Sequence, residues 1–177
     1  MKKQTFVILS MIVFLLFSQH TIADKDQAFK PEHPYIQFGL GGSIAETENY
    51  ATIKLAGGID LNKRYGVEAG MTLITDIFVA DVDMLYLSFV AKYPIGEKTT
   101  LAGKVGVVRW DTTTHVLSFQ PGDDSGVNAM LGVDLKYDLF SQLAIVLSFE
   151  YYGSVNVGKT TGDETIFPGT VSLRYTF

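Results

Sequence analysis

The stretch Thr170-Val171-Ser172-Leu173-Arg174-Tyr175-Thr176-Phe177 alternates without a break. Val171, Leu173, Tyr175 and Phe177 fall on one face of an extended chain, and Thr170, Ser172, Arg174 and Thr176 on the other. A soluble edge strand is commonly blunted by charge or by a polar tail. This one is apolar along a whole face and finishes on an aromatic residue. The pattern asks for a solvent that welcomes an exposed row of Val, Leu, Tyr and Phe.

Seven more segments upstream follow the same period of two. They run over about 35–43, 50–62, 65–74, 83–93, 100–110, 127–137 and 142–152, and the quoted stretch completes an eighth at 168–177. In the fourth, Leu85, Leu87, Phe89, Ala91 and Tyr93 alternate with Met84, Tyr86, Ser88, Val90 and Lys92. In the sixth, Ala129, Leu131, Val133, Leu135 and Tyr137 alternate with Asn128, Met130, Gly132, Asp134 and Lys136. Nearly all of the segments are 10 to 13 residues long. Soluble strands are usually ~5–6 residues, whereas tilted membrane-spanning strands need ~9–11.

The connections alternate as well. Those at 62–64, 94–98 and 138–141 are short, and those around 44–49, 75–82, 111–126 and 153–167 are longer and rich in Asp, Glu, Thr and Gly. An even number of antiparallel strands with short turns on one side and long loops on the other is the layout of an outer-membrane barrel. Aromatic residues gather near the predicted ends. Tyr35, Tyr65, Tyr93, Tyr137, Tyr175 and Phe177 lie towards the short turns; Tyr50, Phe78, Trp110, Tyr151 and Phe167 lie towards the long loops. Such rings favour the membrane interface, where one part is apolar and the other meets water. The rival fold is a soluble eight-stranded barrel that binds a ligand inside, with the apolar face turned inward. Against it, the polar face is too rich in Gly, Ala and Ser to cover a soluble surface, while small residues suit a narrow lumen.

The front of the chain sets the compartment. Lys2 and Lys3 precede the apolar run Phe6–Phe17, and Thr21-Ile22-Ala23 follows, which predicts a secretory signal peptide over 1–23 cleaved near Ala23. A twelve-residue run is too short for a spanning helix. The chain has no Cys, which excludes disulfides, thiolate nucleophiles and Cys-based metal sites. Cleavage would leave 154 of the 177 residues; it removes two bases and no acid, for a formal charge of −7. That charge excludes nucleic acid as a partner. Residues 24–34 then read as a periplasmic tail before a barrel domain at 35–177.

Three groups of residues carry the resemblance to a known family: Gly106-Val107-Val108-Arg109-Trp110-Asp111, Phe149-Glu150-Tyr151-Tyr152 and Ser172-Leu173-Arg174-Tyr175-Thr176-Phe177. The chain resembles the OmpA-like transmembrane-domain family of small outer-membrane barrels over nearly the whole mature length. The resemblance implies that Tyr175 and Phe177 form the signal read by the barrel-assembly machinery, and that the last strand closes the barrel against the first. Nothing follows Phe177, so the soluble peptidoglycan-binding domain of larger members is expected to be missing.

On the polar face lie Lys54, Asp60, Glu68, Lys92, Lys104, Asp134, Lys136, Glu150 and Arg174. An eight-stranded barrel is just wide enough for side chains to fill, and unpaired buried charge is very costly. These five bases and four acids are therefore expected to pair as a lumen charge network that plugs the barrel. If Trp110 faced Asn128, Lys104 would stand opposite Asp134. The resemblance also brings the alternative of a small, switchable ion path.

The long loops are acidic, which suits interaction with an extracellular partner or with outer-leaflet lipid and lipopolysaccharide through divalent cations. Gly122-Asp123-Asp124-Ser125-Gly126 is the most ligand-like stretch, yet it lacks the five or six spaced oxygens of a dedicated site. No metal or cofactor site is expected. A second alternative is lipid A modification, which would rest on His115, with Asp111 four before it and Ser118 three after. No nucleophile-elbow sequence surrounds His115, so no catalytic residue is assigned and a non-enzymatic role is expected.

Overall fold

The computed structural model describes residues 32–44, 49–75, 80–114, 123–156 and 163–177. The predicted signal peptide, residues 24–31 of the expected tail, Phe78, His115, Ser118 and Gly122 lie outside the described residues. Ten strands follow one another: β1 (Glu32–Ile44), β2 (Asn49–Asp60), β3 (Tyr65–Thr75), β4 (Ala80–Pro94), β5 (Thr99–Thr114), β6 (Asp123–Asp138), β7 (Leu143–Tyr151), β8 (Ser154–Asn156), β9 (Asp163–Thr165) and β10 (Phe167–Thr176). Eight of them close into an antiparallel barrel in the order β1-β10-β7-β6-β5-β4-β3-β2, while β8 and β9 pair as a separate hairpin. The terminal stretch is β10, and it closes the barrel against β1 with Leu173 facing Phe38 and Arg174 facing Gln37.

The three short turns share one geometry, which fixes the register of each hairpin. Leu61 and Asn62 both donate to the Tyr65 carbonyl, Ile95 and Gly96 to that of Thr99, and Leu139 and Phe140 to that of Leu143. In the first turn the Asn62 side chain also accepts from the backbone N–H groups of Arg64 and Tyr65, at 2.7 and 2.8 Å. This is the local bonding that makes Asn a turn residue.

The alternation settles which face meets which solvent. Phe38, Leu85, Val105, Val127, Phe149 and Leu173 stand outward, with Val127 69% and Phe149 68% exposed. Lys54, Glu68, Lys104, Asp134, Glu150 and Arg174 point inward and are buried. A soluble barrel would show the reverse. The ten steps from Phe167 to Phe177 span about 33 Å at ~3.3 Å per residue, or roughly 25 Å along the axis at a tilt of ~40°, matching a bilayer-sized apolar band.

Several boundaries differ from the sequence reading. β4, β5 and β6 begin or end three to four residues further out than expected, so the strands rise into what read as loop. The loop read at 153–167 contains the β8–β9 hairpin. At the other end the barrel begins at Glu32: Glu32 pairs with Asp60 and Pro34 with Ile59, around a bulge at His33, whose φ is +45°. Proline is tolerated there because a strand start with a bulge demands no donor.

Three aromatic assignments are corrected: Tyr50, on the inward parity of Lys54, packs half-buried against the inner apolar cluster. Tyr35 and Trp110 do not join the interfacial belts; both are buried inside the barrel. They share the parity of Gln37 and Lys104, and on a strand parity decides the face. Room for the inner rings comes from glycine. A Cβ at Gly126 would lie 2.6 Å from Trp110 Cζ2, and one at Gly70 would lie 2.6 Å from the Tyr86 hydroxyl. Tyr93, Tyr137, Tyr175 and Phe177 do stand outward at the short-turn end, with Tyr175 and Phe177 edge-to-face at 5.2 Å. At the loop end, the Tyr151 and Phe167 rings are 5.3 Å apart.

Candidate functional site: the charged lumen

Each barrel strand sends alternate side chains inward, so charges far apart in sequence converge at mid-height. Lys54 of β2, Glu68 of β3, Lys104 of β5, Asp134 of β6, Glu150 of β7 and Arg174 of β10 form one cluster of three cations and three anions. Lys104 Nζ lies 2.9 Å from Glu68 Oε1, 2.9 Å from Asp134 Oδ2 and 3.0 Å from Glu150 Oε1. Lys54 pairs with Glu150 and stands 3.7 Å from Glu68. Arg174 reaches Glu68 at 3.3 Å and Asp134 at 3.8 Å. The charges balance, as they must where burial would make a surplus ion very costly.

Neutral partners complete the cluster. Tyr35 donates to Glu68 Oε2 (2.9 Å), Tyr86 to Glu68 Oε1 (2.8 Å) and Tyr152 to Glu150 Oε2 (2.6 Å). The Arg174 guanidinium donates twice to Gln37 Oε1, at 3.0 and 2.8 Å, and lies 4.0 Å from the centre of the Tyr35 ring. Glu68 is thus the node, facing three cations and two tyrosine hydroxyls. None of these tyrosines belongs to the predicted lumen network, although their parity with the charged residues was a usable signal.

The other three charges of the predicted set sit apart, nearer the short turns. Lys92 pairs with Asp60 at 2.9 Å and donates to the Asn62 carbonyl. Lys136 pairs with Asp138 at 2.9 Å instead of joining the central cluster. The register places Trp110 opposite Gly126 and Lys104 opposite Gly132, two residues from the expected alignment. Lys104 and Asp134 still meet, because a lysine side chain spans the diagonal between neighbouring strands.

Above the ions, towards the long loops, the lumen carries an apolar cluster beside the buried side chains of Ser43, Thr52, Thr72 and Thr112. Ile74, Val82, Met84, Val108, Trp110, Met130, Val155 and Ile166 pack there as a buried cluster. The last long loop supplies two of them. Gly153, at φ +75°, turns the chain, the Tyr152 N–H donates to the Ile166 carbonyl and the Ile166 N–H to the Gly153 carbonyl, and Asn128 Nδ2 donates to the carbonyls of Tyr152 and Ser154. Among the described residues no group of three or more His, Asp or Glu side chains is arranged to hold a metal ion.

An inside-polar, outside-apolar barrel of this length, with its lumen filled by ions below and aliphatic side chains above, defines an integral barrel of the outer-membrane class. The chain belongs to the outer membrane protein beta-barrel domain family, whose model matches residues 9–177. Similar solved structures share its fold. Neisserial surface protein A superimposes with a TM-score of 0.68 at 8% identity, covering 81% of this chain and 97% of that one. The N-terminal β-barrel domain of Pseudomonas aeruginosa OprF gives 0.62 at 13% identity, covering 84% and 100%. The outer membrane enzyme PagL gives 0.52 at 14% identity, covering 81% and 99%. No curated protein sequence matches the chain. The likeness to the OmpA-like barrels drawn from the sequence agrees with this family.

Proposed function

We propose that this outer-membrane barrel is a non-enzymatic structural and surface protein whose lumen is closed. The observation that carries the reading is the apolar layer of Val108, Met130, Ile166 and their neighbours, seated above a charge-balanced ionic cluster. Ion passage would require hydrated ions to cross packed aliphatic side chains, where burial of charge is very costly. Interaction is then left to the outer rim. There Asp83 and Asp111 stand directly opposite each other on outward positions of β4 and β5, a surface suited to lipopolysaccharide bridged by divalent cations or to a basic extracellular partner. Tyr175 on β10 and Phe177 just beyond its end, both exposed, are the residues we assign to recognition by the assembly machinery.

Planar-bilayer recording of the refolded protein in concentrated KCl tests the closed lumen; no conductance steps are expected above the bilayer background. Reproducible steps that vanish in Lys104→Met or Asp134→Asn would replace this reading with the small pore. Lipid A mass profiles from cells with and without the protein test the non-enzymatic reading. A mass change lost in His115→Ala would refute it.

A further inference from the structure

On the long-loop side the strand ladder of the wall is broken between β6 and β10. β6 spans Asp123–Asp138 but pairs with β7 only from Leu131 downward, and β7 pairs with β10 only from Phe149 downward. Residues 123–130 of β6 therefore have no ladder partner on their β7 side among the described residues. The sequence stops the ladder for two local reasons. Gly153, at φ +75°, turns the chain out of the extended conformation, and Pro168 gives β10 no N–H with which to continue. Above Tyr151 the gap is spanned by the β8–β9 hairpin, whose strands pair only with each other. Its ties to β6 are side-chain bonds, from Asn128 Nδ2 to the Tyr152 and Ser154 carbonyls at 2.9 and 2.7 Å. The backbone bonds at its base are long, 3.3 Å from Tyr152 to Ile166 and 3.4 Å from Ile166 to Gly153. Segments held by few backbone hydrogen bonds open locally at low cost.

The gap has apolar surroundings on both sides. Inside, Val155 of β8 is fully buried in the cluster that holds Met84, Val108, Trp110 and Met130. Outside, Val127 on the unladdered part of β6 and Phe149 at the last β7–β10 rung are the two most exposed large apolar side chains of the barrel strands. An independent observation is chemical. Trp110 is buried, yet its Nε1 donor has no hydrogen-bond partner among the described residues. A Cβ at Gly126 would fall 2.8 Å from that nitrogen, so the N–H lies against the part of β6 that borders the gap. Buried donors are almost always satisfied. Among Met, Val and Ile side chains, the acceptor that fits is one carried by an apolar molecule. Trp110 sits between Arg109 and Asp111 on β5, exposed outward charges paired at 3.3 Å that mark the headgroup border. That is the depth of a lipid's ester carbonyls, with the acyl chains below.

We propose that the gap between β6 and β10 is a lateral port through which an acyl chain of a long-loop-leaflet lipid enters the upper lumen, displacing Val155 of β8 and presenting its ester carbonyl to Trp110 Nε1. The exchange replaces one aliphatic contact by another, so little apolar burial is lost, and the indole gains the acceptor it lacks. The occupied form is a minor conformation that its ligand makes dominant. Ions gain no path by this route, because the interior they would meet stays aliphatic.

The test uses the refolded protein in phosphatidylcholine vesicles carrying a small fraction of phosphatidylcholine with a diazirine at mid-chain. After irradiation the adducts are located residue by residue by mass spectrometry. Adducts on the inward residues Met84, Trp110 or Met130 are expected beside those on outward Val127 and Phe149. Asn128→Ala, its folding verified by gel mobility, should raise the inward adducts at least threefold relative to the outward ones. The ether-linked analogue of the probe, which lacks the carbonyl, should give at least threefold fewer inward adducts on the parent protein. Bilayer recording reads lumen closure independently of these results. Adducts confined to outward residues in the parent and in Asn128→Ala would overturn the port, and the parent alone decides this if the variant does not refold. Inward yields unchanged in Asn128→Ala would overturn displacement of the hairpin, and equal yields from ester and ether probes would overturn the role given to Trp110.

Discussion

Neutralising Glu68 is the most informative single change, because five groups converge on its carboxylate. In Glu68→Gln the side chain keeps its volume and one of the two oxygens that accept from Tyr35 and Tyr86, at 2.9 and 2.8 Å, while the other becomes an amide donor towards its tyrosine oxygen. What it loses is the charge facing Lys104 at 2.9 Å, Arg174 at 3.3 Å and Lys54 at 3.7 Å. Three buried cations would then share Asp134 and Glu150. Breaking a buried pair by removing one charge costs about 3–5 kcal/mol, since the partner stays desolvated. Glu68→Ala should cost more, by about 1–3 kcal/mol for each tyrosine hydroxyl left without an acceptor. With a urea m-value of about 2 kcal/mol/M, Glu68→Gln should lower the unfolding midpoint by roughly 1.5–2.5 M. The assay is urea unfolding in lipid vesicles followed by emission of Trp110, the single tryptophan, which is buried in the lumen. Pairing Glu68→Gln with Lys104→Met restores the balance and should return much of the loss, because replacing both partners of a buried pair is nearly neutral. A Glu68→Gln protein within about 0.5 kcal/mol of the parent, the range of inert surface substitutions, would refute the idea that the cluster is a coupled, desolvated unit.

Three further outcomes are expected. Gly126→Val should destabilise by about 1–3 kcal/mol through overpacking and shift Trp110 emission, since the new Cβ would fall 2.6 Å from the indole ring; an unchanged spectrum and midpoint would count against the packing. Val105→Arg, on the outward face of β5, should cost about 2–4 kcal/mol in a bilayer, whereas Val105→Leu should be neutral, both read by unfolding in vesicles. Phe177→Ala should reduce the amount of barrel reaching the outer membrane in cells while leaving refolding into detergent intact; equal loss in both would assign the residue to stability instead of assembly.

Much of the barrel was legible because strand parity is local. Every two residues the side chain changes face, so the inward set from Lys54 to Arg174 could be read without knowing which strands are neighbours. The same parity was available for Tyr35 and Trp110, but their nearness to predicted strand ends was given more weight. The apolar upper layer was legible in fragments, as Met84, Val108 and Met130 on otherwise polar faces. The β8–β9 hairpin was not, because three-residue strands carry too few alternations to register.

What the sequence determined by itself was the solvent: an apolar outward face and a polar inward face repeated eight times. What only closure decided was the partnership within. Lys54 and Glu150 are 96 positions apart and Arg174 and Gln37 are 137 apart, and no local pattern links them. A register two residues from the expected one still let Lys104 reach Asp134 and added Glu68 and Glu150 as partners. Long side chains tolerate such a shift; the pairing itself follows from eight tilted strands converging on one narrow, low-dielectric space in which no charge is stable alone.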